Sequence, residues 1–217
     1  SATYKVTAKG PDGERVWNAN AIISGVGFLN RPNMPEIAGA DSFKGRIVHT
    51  ARWPNDLDFE SKRVAAIGSG ATSYQMVPEL AKEVGHLTLY QRTPSWCFEM
   101  PGYLSPYPDE VQWLDRNLPF HNSFARLQVS WVINPETMMQ LIEADPAFKH
   151  SHAVSESNKA TFDLCLNFMR RKMPGREDLV QKMLPEAPPF SSRPVLVDSD
   201  GNIYDALMQD NVELVTE

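Results

Sequence analysis

Uninterrupted apolar runs and helically spaced ones follow each other along this chain, and their order predicts its elements. Val64, Ala65, Ala66 and Ile67 read as a buried strand. Two glycines follow at Gly68 and Gly70, and Ala71 to Glu83 has the composition of a helix. Leu87, Thr88, Leu89 and Tyr90 then make a second strand. Upstream, Tyr4 to Lys9 alternates as a strand, Gly10, Pro11, Asp12 and Gly13 supply a turn, and Arg15 to Ala19 predicts the returning arm of a hairpin. Ala21, Ile22 and Ile23 form a further apolar strand that ends in small residues, before the turn-rich RPNMPEIAG. Such a strand needs neighbours in a sheet, and the N-terminal region supplies too few, so it reads as the last part of a preceding domain.

Downstream the pattern changes. Pro94, Pro101, Pro106, Pro108 and Pro119 predict an ordered loop over residues 94–119, with at most a short helix near Asp109 to Arg116. Helical spacing covers Phe120 to Val132, Glu136 to Glu143 and Ser155 to Lys172, with Ser155 as a cap and Pro135 and Pro146 as breaks. Strand-like segments return at Pro194 to Val197 and Asn211 to Val215, with a short helix over Tyr204 to Gln209, and the interrupted sheet is expected to resume there. The fold class is α/β, a partial Rossmann-like domain with a helical insertion.

Composition narrows the function classes. With 217 residues the chain can bury a sizeable core. Its 42% hydrophobic content, and 21 basic against 27 acidic residues, describe a mildly acidic protein without the basic field that attracts nucleic acid. No apolar run has membrane-spanning length. Two cysteines, Cys97 and Cys165, make neither a metal site nor a disulfide framework, and a reduced, cytoplasmic setting is the simpler expectation. His150 and His152 are close, but no further ligand stands at a persuasive spacing, so no metal is expected. Arg170, Arg171 and Lys172 read as the charged end of a helix.

The glycines carry the candidate chemistry. Gly68 permits a tight turn after the strand, Gly70 lets a pyrophosphate approach the backbone, and the following helix would aim its unpaired N–H groups at the phosphates. The third small position is Ser73 rather than glycine or alanine, which weakens the match to GxGxxG without abolishing it. An ordinary glycine-rich strand-to-helix turn is the competing reading. The second strand ends in Gln91, Arg92 and Thr93, where an NAD site would place an acid on the ribose hydroxyls. A guanidinium there can grip a 2′-phosphate, which favours NADPH over NADH; the alternative is a solvated arginine at a strand end.

FKGRIVHTARWP, with Phe43, Gly45, His49, Thr50, Trp53 and Pro54, matches the pattern FxGxxxHTxxWP, and the glycine loop follows it. In these residues, and in GVGFLNRPNMPEIAG, GSGATSYQMVPELA, LTLYQRTPSW and SSRPVLVDSDGNIYDALMQDNVELV, the chain resembles the Baeyer-Villiger monooxygenases, a branch of the class B flavoprotein monooxygenases. The wording is nearest to their hydroxyacetophenone monooxygenase group. The resemblance implies residues 1–42 as the end of an FAD-binding domain, 43–61 as a signature linker, 62–96 with 191–217 as an NADPH-binding α/β domain, and 97–190 as a helical insertion. Only one glycine fingerprint is present, so the resemblance further implies a fragment whose FAD fingerprint lies upstream and whose closing part lies downstream.

The resemblance also assigns roles. Gly68, Gly70, Ala71, Thr72, Ser73 and Gln75 correspond to the pyrophosphate loop and the start of its helix, and Arg92 and Thr93 to the 2′-phosphate contacts. His49 and Trp53 correspond to residues that couple nicotinamide placement and domain movement to catalysis. Arg193 corresponds to the catalytic arginine beside the flavin, where a permanent cation is needed; Ser192 stands where relatives often carry lysine. The implied reaction uses NADPH, FAD and O₂ to convert a ketone to an ester or lactone, with the fragment silent by itself. Competing readings are oxygenation of nitrogen or sulfur, a simple NADPH-dependent flavin or disulfide reductase, and a non-enzymatic helical module. Absence of a CxxC motif counts against a disulfide reductase.

Overall fold

The N-terminal alternation closes into a hairpin, in which β1 (Tyr4–Gly10) and β2 (Gly13–Ala19) pair antiparallel from Tyr4 opposite Ala19 to Gly10 opposite Gly13. A computed structural model of the chain describes residues 3–27 and 29–216; Ser1, Ala2, Phe28 and Glu217 lie outside the described residues. Two units divide the chain, Ser1–Leu57 and Asp58–Glu217. Within the first, Ala21, Ile22 and Ile23 do not form the expected strand. No described strand pairs with them, and Ile23 is 96% exposed. Apolar β-formers become a strand only when a ladder partner accepts their backbone groups.

The second unit runs β3 (Arg63–Ile67), α1 (Ala71–Leu80), β4 (His86–Tyr90), β5 (Cys97–Glu99), α2 (Asp109–Asn117), α3 (His121–Val132), α4 (Pro135–Ile142), α5 (Glu156–Lys172), α6 (Glu177–Met183), β6 (Val195–Val197), α7 (Ile203–Leu207) and β7 (Val212–Val215). β3, β4 and β7 form a parallel sheet in that order, with Val64 opposite Leu87 and Leu87 opposite Val212. This is a mixed α/β fold, as the alternation of apolar runs predicts.

Several local expectations are corrected. β6 does not rejoin the three-stranded sheet; it pairs in parallel with β5, Cys97 opposite Val195, a strand hidden in the proline-rich stretch. Among the described residues only β7 resumes the main sheet. Pro135 separates α3 from α4 as expected and itself opens α4, since its missing N–H falls where the first turn has no acceptor, and the Asn134 side chain caps that turn by accepting from the Thr137 N–H at 2.9 Å. Ser155 caps α5 as expected, accepting from the Asn158 N–H at 3.3 Å. The first helix ends at Leu80, not Glu83: the Lys82 and Glu83 N–H groups donate to Glu79 and Leu80, three residues back, and Ala81 to Glu83 continue as a tighter turn.

One buried cluster joins Ala66, Leu87 and Leu89 of the sheet to Tyr74 and Val77 of α1. Phe168 and Met169 of α5, Leu179, Val180 and Met183 of α6, and Ile203 and Tyr204 of α7 belong to the same cluster. The second half of the region expected as a helical insertion is therefore part of the α/β core. α6 escapes sequence reading because it has only seven residues, less than two full turns of periodicity. The basic end of α5 is neutralised by its neighbours: Arg170 pairs with Glu177, Arg171 with Glu99, and Lys172 with Asp200 and Asp205. His150 and His152 pack against Phe162, with ring centroids 5.2 and 5.6 Å away. Among the described residues no helix is long and apolar enough to cross a membrane.

Gly85, which opens β4, is held by close approach. A Cβ there would stand 2.7 Å from the Ser61 carbonyl oxygen, a backbone atom that cannot swing aside. The Gly85 and His86 N–H groups both donate to the Lys62 carbonyl, at 2.9 and 3.1 Å, which fixes the approach. Gly85→Ala is expected to destabilise the second unit by about 1–3 kcal/mol, read as a lower urea midpoint at unchanged slope.

Candidate functional site

Parallel pairing of β3 with β4 places the carboxyl ends of the two strands side by side. The Gly68 N–H donates to the Tyr90 carbonyl at 2.9 Å, and the Gln91 N–H donates to Val215 at 2.8 Å, so the ladder runs into the turns that follow each strand. Gly68 has φ +101°, which disfavours any side chain, and nothing lies within 4 Å of where a Cβ at Gly68 or Gly70 would be. Gly70, extended, caps α1 without a side-chain hydrogen bond. At this end the Tyr74 N–H donates to the Gly70 carbonyl at 3.1 Å, so the N–H groups of Ala71, Thr72 and Ser73 belong to the first turn ahead of the intrahelical ladder. Thr72 and Gln75 are exposed, and Ser73 is buried, as a position of close helix-to-strand packing requires.

Arg92 and Thr93 stand in the turn after β4, both exposed. Their turn is tied to the glycine loop. The Ser69 hydroxyl donates to the Thr93 carbonyl at 2.7 Å, and the Ser95 hydroxyl donates to the Ser69 carbonyl at 3.4 Å. Tyr74, in the first turn of α1, accepts from the Ser95 N–H at 3.0 Å and donates to Gln91 Oε1 at 3.4 Å. Gln91 Nε2 in turn donates to the Lys182 carbonyl at the end of α6, at 2.9 Å. Burial raises the Tyr74 phenol well above its ordinary value, so it stays neutral. Ser69, Tyr74, Gln91 and Ser95 were not singled out by sequence pattern. The signal lay in two polar residues, Tyr74 and Gln91, at positions that the strand and helix periodicity place inside.

Arg193 is exposed and precedes β6 by two residues. It is not on the sheet that carries the glycine loop. The Val195 N–H donates to the Trp96 carbonyl at 2.9 Å, so the short segment Gln91–Glu99 connects the Arg92 turn to the strand beside Arg193. Neither Arg92 nor Arg193 has an ion-pair partner among the described residues, so both leave a permanent cation for a ligand. Burial pushes the Cys97 and Cys165 thiols up to about 12, which removes them as nucleophiles at neutral pH.

The signature residues lie in the first unit. His49 caps a short 3₁₀ turn, Thr50–Arg52, with Nδ1 accepting from the Ala51 N–H at 3.1 Å. The Phe43 ring fills the space that a Cβ at Gly45 would take, which accounts for glycine two residues after the aromatic. Arg46 holds Asp56 with two bonds of 3.2 and 3.0 Å. Met34, Arg46, Val48, His49, Arg52 and Pro54 line one open groove of about 500 Å³. Thr50 is exposed and Trp53 is 42% exposed.

Residues 1–160 match the model of the flavin-binding monooxygenase-like family. The uncharacterised monooxygenase y4iD of Sinorhizobium fredii is 33% identical over 217 residues, covering 99% of this chain and 32% of its own length. A Baeyer-Villiger monooxygenase of Pseudomonas aeruginosa is 45% identical over 85 residues, covering 39% of this chain and 16% of its own. The solved structure of OTEMO in complex with FAD and NADP is 28% identical with a TM-score of 0.67, over 93% of this chain and 42% of that one. The chain thus spans about a third of the first relative and less than half of the solved structure.

Asp198, at the end of β6, collects three backbone donors: Leu104 at 2.8 Å, Gly102 at 3.1 Å and Ser199 at 2.7 Å. The Leu104 bond leads in holding its carboxyl below the ordinary value of 3.8. A carboxyl depressed in the folded state stabilises above its unfolded value, and that contribution is lost as pH falls through the lower folded one. Asp198→Asn is expected to speed amide hydrogen exchange at Gly102 and Leu104 at neutral pH while Leu87 and Leu89 keep their protection. Acidification of the unmodified chain from about pH 5 to below 3.8 should produce the same selective loosening.

Proposed function

The chain belongs to the flavin-binding monooxygenase-like family, and from that premise we propose that it supplies the NADPH-binding part of a Baeyer-Villiger-type monooxygenase. The observation that carries this reading is the glycine loop with open space over Gly68 and Gly70, tied by Ser69 to a turn bearing an uncommitted cation, Arg92. An open loop at a helix N-terminus fits a pyrophosphate. A guanidinium on the neighbouring strand end fits the 2′-phosphate that distinguishes NADPH from NADH. OTEMO, whose solved complex contains FAD and NADP, supports the same pair of cofactors for this protein.

The residues divide the work between two ends of the nucleotide. Ala71, Thr72 and Ser73 would turn their backbone N–H groups to the pyrophosphate, with Gln75 one turn on. Arg92 and Thr93 would hold the 2′-phosphate. Arg193 would place a guanidinium cation near the reacting centre. In the sequence GSGATSYQ there is one glycine fingerprint, which the NADPH reading uses. When bound, FAD would pass the electrons of NADPH to O₂. The balanced reaction is ketone, O₂, NADPH and a proton giving ester or lactone, water and NADP⁺.

Two measurements test the proposal. Direct titration should show NADPH binding more tightly than NADH, with Arg92→Ala costing roughly ten- to a hundredfold for NADPH, the size of one charged hydrogen-bond pair, and little for NADH. Equal affinity for the two in the unmodified chain would overturn the phosphate assignment. Assay of the complete flavoprotein should show ester formation from ketones, lost in Arg193→Ala; turnover of amines or sulfides alone would place it instead with the heteroatom oxygenases.

A further inference from the structure

Tyr74 is 1% exposed and Gln91 3%, yet both carry polar groups into an otherwise apolar core. An apolar pair of the same shape would fill the space without the desolvation cost of three polar atoms. What these groups do is hold backbone. The residue before Arg92 is fixed through its side chain to Tyr74 and to the Lys182 carbonyl, and through its N–H to Val215. The residue after Arg92 is fixed by its carbonyl to Ser69, and Ser95 by its N–H to Tyr74. The Arg92 side chain is exposed, so its place is set by the turn beneath it. Tyr74 and Ser69 sit on the other half of the site, in the first turn of α1 and between the two glycines.

We infer that Tyr74 and Ser69 are positioning residues for recognition of the 2′-phosphate: their hydroxyls set the spacing between the pyrophosphate loop and the turn that presents Arg92 and Thr93. This rests on the reading of Arg92 as the 2′-phosphate contact. A nucleotide spans the two halves with fixed covalent length, so a turn held at one distance from the glycine loop presents its cation where the phosphate arrives. A turn released from the loop keeps its charge and loses that register. NADH has no group at that place and does not sense the change.

Tyr74→Phe keeps the ring and removes only the hydroxyl. Titration of the full chain should then show about three- to tenfold weaker NADPH binding, the worth of one neutral hydrogen bond, with NADH affinity unmoved. Ser69→Ala, which removes the other tie without touching the core, should act in the same direction and decides the matter if Tyr74→Phe does not fold. In an Arg92→Ala background both effects on NADPH should vanish, since they act through that side chain. Equal weakening of NADPH and NADH, or an undiminished effect without Arg92, would mean a merely structural role and overturn the inference. A parent chain that does not distinguish the two cofactors would sink the Arg92 reading itself, and is seen before any variant of Tyr74 is made.

Discussion

Everything at the candidate site depends on the parallel pairing of β3 with β4. Parallel strands share a carboxyl end, so the turn after each emerges at the same edge. That single constraint sets Gly68 beside Tyr90, and with it the open space over Gly68 and Gly70 at the edge where the Arg92 turn begins. Leu87 and Leu89, fully buried on β4, and Ala66 on β3 hold the pair by burial rather than by any special bond. A shift of one residue would turn these side chains out of the core and move both turns together, so the packing also protects the register of the site.

A parallel ladder fixes strand ends but not the loops beyond them. Here the loops are fixed by hydroxyls. Ser69, Ser95 and Tyr74 are short or rigid groups that each bond a backbone atom of the facing segment, which costs less ordering than long side chains would. They leave the charges free: Arg92 and Arg193 stand outside the ion pairs that neutralise Arg170, Arg171 and Lys172 at the end of α5. The same surface therefore holds two kinds of cation, one kind spent on the fold and the other presented to solvent. Cys97 and Cys165 are spent in the first way, as small core hydrophobes with thiols too basic to react.

The glycine loop, the strands on either side and Arg92 at the end of the second were legible because each depends on short-range rules, whereas Arg193 entered only through the family resemblance. A tight turn needs glycine at φ +101°, a buried strand needs consecutive apolar residues, and a phosphate site needs a lasting cation. The hairpin was legible for the same reason. β5, β6 as its partner, and α6 were not. Three-residue strands carry no period, and whether Val195–Val197 joins one sheet or another is decided by which edge it meets. Ala21 to Ile23 failed in the opposite sense: the propensity is there, and no described strand takes up the ladder.

By itself the sequence determined the longer elements, the α/β alternation, and the residue types that suit the proposed diphosphate and 2′-phosphate contacts, since these follow from backbone sterics, side-chain polarity and charge within a few residues of one another. The tertiary structure alone decided that α5 and α6 complete the core, that Tyr74 and Gln91 face each other inside it, and that Ser69 reaches the carbonyl of Thr93 across 24 positions of chain. Those pairings connect residues distant in sequence, and only the packing of one element on another sets the distances on which a hydrogen bond depends.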